Sequence, residues 1–131
     1  MLNWTPEGGV GQLFRAMKPF APPPPPGALP APLWGSEEHV RELFGRQVWD
    51  VDFSRGMLEL DLWPTPEAVR DYFKRLYGPT IAVYRANADD AAKTAALDDA
   101  LLEFAARTNL AEPGRPARYE YEYAVILTRR A

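Results

Sequence analysis

The sequence predicts an α+β fold in which about three antiparallel strands form a small sheet beside four to five helices. Two kinds of pattern indicate this fold. Apolar residues recur at intervals of three and four in several segments, which is typical of helices with one buried face. Apolar and polar residues alternate strictly in other segments, which is typical of half-buried strands. The 131 residues suffice for one compact domain, so we expect a single domain over residues 1–131.

Two helices are predicted in the first half of the chain. The first runs from Val10 to Phe20, where prolines follow and remove the backbone donors that a helix needs. Ser36 is a suitable N-cap for the second helix, and two glutamates follow it at the positive end of the helix dipole. Gly45 provides a stop signal, so this second helix should be short.

Two or three further helices are predicted in the second half. The tripeptide Thr-Pro-Glu at residues 65–67 combines a capping hydroxyl, a proline in the first turn and an acidic residue. Gly78 ends the helix that starts there, and Thr80 caps one or two further turns. A longer helix begins at a polar residue between 87 and 90, and a loop follows it at residues 113–116.

Three segments have the two-residue period of a strand. Residues 49–54 and 58–63 both alternate, and the glycine-containing gap between them predicts a hairpin or a bulged bend. Residues 119–127 alternate tyrosine with glutamate and then become apolar on both faces. We expect Trp49 to face the core. Residues 2–4 look like the end of another strand, although a short ordered terminus also explains them.

Eight of the fourteen prolines lie between Pro19 and Pro32, within a loop predicted for residues 19–35. The five consecutive prolines at residues 22–26 should adopt polyproline II and span about 15 Å. Such a run either lies as a stiff loop over its own protein, which we favour, or docks into the aromatic-lined groove of a partner. The helical segment before it is too short to form a core, so the loop is no domain boundary.

Composition argues against several classes of function. A net charge of −3 with scattered basic residues disfavours nucleic-acid binding, because phosphate contacts need a basic face. The absence of cysteine removes disulfides and zinc–thiolate sites, and a single histidine, His39, removes histidine-rich metal centres. No apolar run has membrane-spanning length and no signal peptide is visible. We therefore expect a cytoplasmic protein without metal, membrane or nucleic-acid partners.

The residue types that can perform chemistry have simpler explanations in this sequence. The carboxylate pairs at 50/52, 98/99 and 120/122 lie on the polar sides of amphipathic elements, which favours solvated faces over acid–base catalysis. His39 lies on the polar side of a short helix, and no serine sits in a nucleophile elbow. The tryptophans in loops, Trp4 and Trp34, either pin those loops to the core or line an apolar pocket.

Four short motifs resemble one branch of the class I S-adenosylmethionine-dependent methyltransferases, the branch akin to ubiquinone and menaquinone biosynthesis enzymes. Residues 3–8 look like the end of the fifth strand in that branch, and the glycines and phenylalanine at 8, 11 and 14 match the helix that follows. Residues 32–38, 63–68 and 77–80 are similar to its P-x-L-W-G-[ST]-E-E, F-P-[ST]-P-E-A and Y-G-P-T motifs. Their common order along nearly the whole chain makes the resemblance specific.

The resemblance implies a fold equivalent to the C-terminal part of a class I methyltransferase, with residues 121–129 as its last strand. The elements that hold S-adenosylmethionine would then lie before Leu2, so we expect no cofactor on this chain alone. What remains is the substrate side, and the resemblance assigns no catalytic residue. It implies a substrate-binding role for seven residues: Asn3, Trp4, Thr5, Glu7, Trp34, Tyr77 and Thr80.

Three hypotheses of function follow. In the first, the chain is the substrate-side half of a small-molecule methyltransferase, inactive alone, and its partner is a complementing N-terminal half. In the second, it is a free-standing, homodimeric small-molecule-binding or protein-interaction module without methyltransferase activity. In the third, it is an aromatic-lined carrier of small molecules. Without a larger sheet, Leu13, Phe14 and the leucines of residues 58–62 should lack cover, which predicts a second copy against them.

Overall fold

The computed structural model describes the backbone of residues 1–130 and the side chains of residues 1–129. The α+β class and the antiparallel three-stranded sheet are confirmed, with five α-helices in the described chain. The elements in order are β1 (Leu2–Trp4), α1 (Gly9–Met17), α2 (Glu37–Phe44), β2 (Val48–Trp63), α3 (Pro66–Leu76), α4 (Gly78–Ala86), α5 (Ala91–Thr108) and β3 (Ala117–Arg130). Short 3₁₀ turns at Ala31–Gly35 and Gly45–Gln47 flank α2.

The sheet has the order β1-β3-β2, with the last strand in the centre. Strand β3 runs antiparallel to both neighbours, so β1 and β2 are parallel to each other. Leu2 lies opposite Val125 on one side of β3, and Ser54 lies opposite the same residue on the other. Both outer edges of the sheet, on β1 and on β2, lack a strand neighbour among the described residues.

The hairpin predicted between residues 54 and 58 is wrong, because β2 continues through this segment without a turn. Ser54 to Leu58 pair residue by residue with Val125 to Tyr121 of β3. The register shifts lie elsewhere, between Trp49 and Val51 and between Leu60 and Trp63. Gly56 lies opposite Tyr123, and a Cβ at this position would come within 2.4 Å of the tyrosine ring. The glycine therefore makes room for a cross-strand aromatic ring rather than for a reversal of the chain.

One face of the sheet, here called the helical face, is covered by α1, α3 and α5. Tyr119 and Tyr121 of β3 point into this layer, with Leu60 of β2 partly buried beside them. Burial of this much apolar surface is the main source of stability in the chain. The buried residues of this cluster include Val10, Leu13, Met17, Trp63, Val69, Phe73, Val83, Leu97, Leu101, Phe104, Ala105 and Ala117.

The opposite face, here called the α2 face, is covered only in part. Val40 of α2 packs against Ala124 and Ile126, and Val51 and Phe53 of β2 complete a small cluster. Successive side chains on a strand point to opposite faces. Along β3 the buried residues have odd numbers up to Tyr121 and even numbers from Ala124 onward, so the buried face changes between these two residues. The sheet is thus covered on different faces at its two ends.

Two expectations about burial are wrong. Trp49 is 65% exposed rather than buried. A bulge at Asp50 (φ 41°) shifts the register, so that Trp49 lies opposite Arg129 on the helical face. The helices do not extend to this end of the face, so they do not cover the indole ring. Leu13 is fully buried and Phe14 partly buried against the helical core, so neither needs a second copy to cover it. Leu58 and Leu62 do remain exposed.

Most local signals at helix ends behave as the sequence predicts, but the predicted cap at Thr80 is wrong, because α4 begins at Gly78 and Thr80 lies inside its first turn without a capping hydrogen bond. The side chains of Ser36, Thr65 and Asp90 accept hydrogen bonds from backbone N–H groups three residues ahead, at the starts of α2, α3 and α5. Gly45 follows α2 with a φ of 47°. Helix α1 ends at Met17, slightly before the prolines. Between residues 1 and 130, no helix combines the length and hydropathy that a membrane crossing requires.

Candidate functional site

Strand β1 and the turn between β1 and α1 hold four of the seven predicted substrate residues: Asn3, Trp4, Thr5 and Glu7. Thr5 is fully buried, and its hydroxyl donates to the carbonyl of Glu122 (3.4 Å) and accepts from the N–H of Gly8 (3.2 Å). These bonds join the turn to β3, so Thr5 has a structural role. Asn3 is half-buried, and its amide nitrogen is buried without a hydrogen-bond partner among the described residues.

Trp4 packs edge to face on Tyr121, with 6.1 Å between the ring centroids. Tyr121 is 2% exposed, and its hydroxyl has no partner in the described chain. Its ring lies so close to Gly9 that a Cβ there would come within 2.1 Å of it. Burial raises the pKa of Tyr121, so the phenol stays protonated at neutral pH and remains a hydrogen-bond donor.

The Trp34 turn lies against β1. Gly35 is buried there, and a Cβ on it would lie 2.0 Å from the carbonyl oxygen of Trp4, so only glycine allows this approach. Trp34 itself is 41% exposed and packs edge to face on His39 at 6.3 Å. The turn is therefore pinned to β1 by its glycine, and the indole ring stays partly accessible.

Tyr77 and Thr80 lie in the helical layer. Tyr77 packs edge to face on Phe14 of α1 and on Phe73 of α3, at 6.5 and 5.4 Å. Burial raises the pKa of Tyr77. Thr80 is fully buried in the first turn of α4, and its hydroxyl has no partner in the described chain. Glu7, the last predicted residue, has an exposed side chain.

The structure thus brings part of the predicted set together. Asn3, Trp4 and Thr5 meet the Trp34 turn at β1, whereas Tyr77 and Thr80 belong to the helical layer. The sequence did not predict Tyr121, although its ring contacts Trp4 directly. The alternation along residues 119–123 predicted a strand with its tyrosines on one face, but no sequence signal reveals an unpaired buried hydroxyl.

A cleft of about 300 Å³ opens between α1 and α5. No pattern in the sequence predicts this cleft. We call it the α1–α5 cleft, and it is lined by Gln12, Arg15, Ala16, Ala100, Glu103, Phe104 and Arg107. Arg15 donates to the carbonyl of Pro6 (2.7 Å), and Arg107 donates to the side-chain oxygen of Gln12 (3.1 Å). Both cations are thereby held in place by neutral acceptors.

A polar cluster joins α3, α4 and α5 on the outer side of the helical layer. Lys74 donates to both carboxylate oxygens of Asp98 (2.7 and 3.0 Å), and Tyr84 donates to the same group (2.5 Å). Lys74 also lies over the Tyr84 ring, 4.6 Å from its centroid. Burial of Asp98 opposes its ionisation, but the hydrogen bonds from Lys74 and Tyr84 outweigh this and lower its pKa. Asp98 is therefore not the solvated residue that the sequence predicts.

The residues available for metal binding are few. Among the described residues, no group of three or more histidine, aspartate or glutamate side chains is arranged to hold a metal ion. Trp4 and Tyr121 lie together on the helical face, whereas Asn3 is paired with Ala124 on the α2 face, so the two unpaired groups lie on opposite sides of the sheet.

Proteins similar to this chain occur in mycobacteria. An uncharacterized protein of Mycobacterium tuberculosis (strain ATCC 25618 / H37Rv) is 44% identical over 102 residues, which are 78% of this chain and 37% of that protein. A second uncharacterized protein of the same strain is 39% identical over 107 residues, which are 82% of this chain and 39% of that protein. An uncharacterized protein of Mycobacterium bovis is 44% identical over 102 residues, with the same coverage as the first.

The chain therefore spans less than two-fifths of the length of these curated relatives. No family model matches it, and no solved structure matches it.

Proposed function

We propose that this chain is the substrate-side part of a class I small-molecule methyltransferase, and that it does not transfer methyl groups alone. The strand order carries the proposal. The resemblance implies that β1 is the fifth strand and β3 the last of a larger, mostly parallel sheet. At the end of such a sheet, the last strand is expected to run antiparallel and to lie between two strands that are parallel to each other. Strand β3 lies in this way between β1 and β2.

The outer edge of β1 supports the same proposal. This strand pairs with β3 on one side only, and Leu2 beside that edge is 61% exposed. A hollow of about 200 Å³ lies nearby and is lined by Met1, Phe44 and Ile126 among others. An open sheet edge beside apolar side chains is a surface to which another strand can add. The partner we propose is the N-terminal half of a methyltransferase, which would supply the S-adenosylmethionine site.

The contribution of this chain is to shape the acceptor pocket. Trp4 offers an aromatic surface on the helical face, and Tyr121 beside it carries a hydroxyl without a hydrogen-bond partner in the described chain. A buried polar group without a partner costs about 1–3 kcal/mol, so binding a ligand that pairs with it would recover this cost. We place the complete enzyme in the cytoplasm.

Complementation tests this proposal. The part of the 44%-identical M. tuberculosis protein that lies outside its match to this chain serves as the complementing half. We expect calorimetric titration to detect S-adenosylmethionine binding by that half mixed with this chain, and none by this chain alone. Leu2→Asp at the β1 edge should weaken the association of the two parts at least about tenfold, by burying a charge at the contact.

Leu29→Asp is the matched control, since Leu29 is also exposed but lies in the proline-rich loop. It should leave the association unchanged. Failure of the full-length M. tuberculosis relative to bind S-adenosylmethionine would sink the proposal, as would binding of S-adenosylmethionine by this chain alone.

A second candidate function is the homodimeric binding module. The observation in its favour is the outer edge of β2, which is sixteen residues long and carries the exposed side chains of Met57 and Leu62. Pairing of two such edges would cover both. Sedimentation equilibrium distinguishes the candidates, because the module hypothesis requires a dimer in the absence of any other chain, and a monomer contradicts it.

A further inference from the structure

We propose that the α1–α5 cleft binds a small organic carboxylate with an apolar body. The proposal does not depend on the methyltransferase hypothesis, because it concerns a different surface from the β1 edge. The cleft has a volume of about 300 Å³, which is at the lower end of the range for small-molecule sites.

The shape of the cleft follows from residue size. Ala16 of α1 and Ala100 of α5 both line it, and two such short side chains on neighbouring helices leave space between the helices. Phe104 also lines that space, but it is 2% exposed and so contributes only a small apolar surface. Together with the two alanine methyl groups, this surface fits a small aromatic or aliphatic group in the inner part of the cleft.

The charge of the cleft selects the other end of the ligand. Arg15 and Arg107 are fixed by the neutral oxygens of Pro6 and Gln12, which orient the guanidinium groups without neutralising them. Neither arginine forms a salt bridge among the side chains of residues 1–129. A guanidinium group pairs well with a carboxylate because two parallel hydrogen bonds form. Glu103 also lines the cleft, so the lining carries one net positive charge, which matches a monoanion better than a phosphate dianion.

The cleft is also connected to the turn that follows β1. Arg15 is anchored on Pro6, and Gln12 donates to the carbonyl of Glu7 (3.1 Å) while it accepts from Arg107. A carboxylate that draws either guanidinium group toward itself therefore competes with contacts that hold this turn. Ligand binding should therefore be visible at the backbone amide of Glu7 as well as in the cleft.

Titration of the ¹⁵N-labelled chain with benzoate tests the proposal. We expect saturable shifts of the amide signals of Gln12, Ala16 and Ala100, with a Kd of about 1 mM, which corresponds to a weak small-ligand complex. Benzyl alcohol has nearly the same shape without the charge and should bind at least about tenfold more weakly, because it lacks the charge-assisted bonds. Inorganic phosphate should also bind more weakly than benzoate.

Variants locate the site. Arg107→Gln should weaken benzoate binding about tenfold by removing one charge-assisted pair, and Ala100→Leu should abolish it by filling the cleft. Glu103→Gln should tighten it, because a repelling carboxylate is removed. Arg85→Gln, on the exposed side of α4, is the matched control and should bind as the parent does. If Ala100→Leu does not fold, Arg107→Gln and benzyl alcohol still decide the question.

Three results would overturn the proposal. The first is the absence of saturable shifts with benzoate. The second is equal binding by Arg107→Gln and the parent chain. The third is binding of benzyl alcohol or phosphate as tightly as benzoate, which would show that the cleft does not select an organic carboxylate.

Discussion

The two faces of the sheet are built on different scales. The helical face is covered by three helices and holds a continuous cluster that includes five buried aromatic residues of β2, β3 and the helices: Trp63, Phe73, Phe104, Tyr119 and Tyr121. The α2 face is covered by one eight-residue helix, and its fully buried members are Val40, Ala124 and Ile126. This difference shows that the stability of the chain depends mainly on packing against the helical face, although both faces of the sheet carry buried apolar residues.

The same strand takes part in both clusters. The first half of β3 turns Tyr119 and Tyr121 toward the helices, and the second half turns Ala124 and Ile126 toward α2. A substitution on either half therefore disturbs the same strand but a different layer. Substitutions of similar size on the two faces should consequently give different costs, and this comparison can be measured.

Leu101→Ala on the helical face should have the largest effect. Leu101 is 1% exposed and lies in α5 within the large cluster. Large-to-small changes in a rigid core cost about 3–5 kcal/mol, because the cavity does not collapse. Urea denaturation with a linear extrapolation measures this free energy of unfolding. A cost below about 1 kcal/mol would show that the helical layer is loosely packed.

Ile126→Ala on the α2 face should cost less, about 2 kcal/mol, although Ile126 is nearly as buried as Leu101. Its neighbours Val51, Phe53 and Phe44 are only partly buried, so they can move into the space that is left. The same denaturation experiment gives the value. If Ile126→Ala destabilises the chain as much as Leu101→Ala does, the distinction between the two faces is wrong.

Asp98→Asn should have the smallest effect, about 1 kcal/mol at pH 7, because the cluster is partly exposed to solvent. The folded-state pKa of Asp98 is lowered, so its contribution is present above the unfolded pKa of about 4 and is lost as the pH falls through the folded value. The parent chain should therefore lose its advantage over Asp98→Asn between about pH 5 and pH 2.

Thermal or urea unfolding across that pH range measures the difference. Asp99→Asn is the control, since Asp99 is exposed on the same helix and makes no hydrogen bond recorded among the described residues. A gap between parent and Asp98→Asn that stays constant down to the lowest pH would contradict the assigned role of the carboxylate.

The sequence predicted the class of fold and the position of most helices, because capping residues and apolar spacing are local signals. Thr65 and Ser36 illustrate this, since each caps the helix that the pattern predicted. The course of β2 could not be predicted in the same way. Gly56 is compatible with a turn or with a large cross-strand neighbour, and only the pairing with Tyr123 decides between them.

The candidate site was predicted less completely. Trp4 and the Trp34 turn do meet, through a backbone contact at Gly35 that no pattern of apolar residues reveals. The unpaired hydroxyl of Tyr121 and the α1–α5 cleft depend on how α1 lies against β3 and α5. Such contacts join residues that are distant in the sequence, so they are visible only once the chain is folded.

The proline-rich segment has a practical consequence. Residues 21–31 are exposed throughout, contrary to the expectation that this run lies over its own protein. Its ends are held independently, since Asn87 donates to the carbonyl of Phe20 (2.8 Å) at one end and Gly35 contacts β1 at the other. A fluorophore or an affinity tag attached near Gly27 would therefore report on this molecule without entering either layer of its interior.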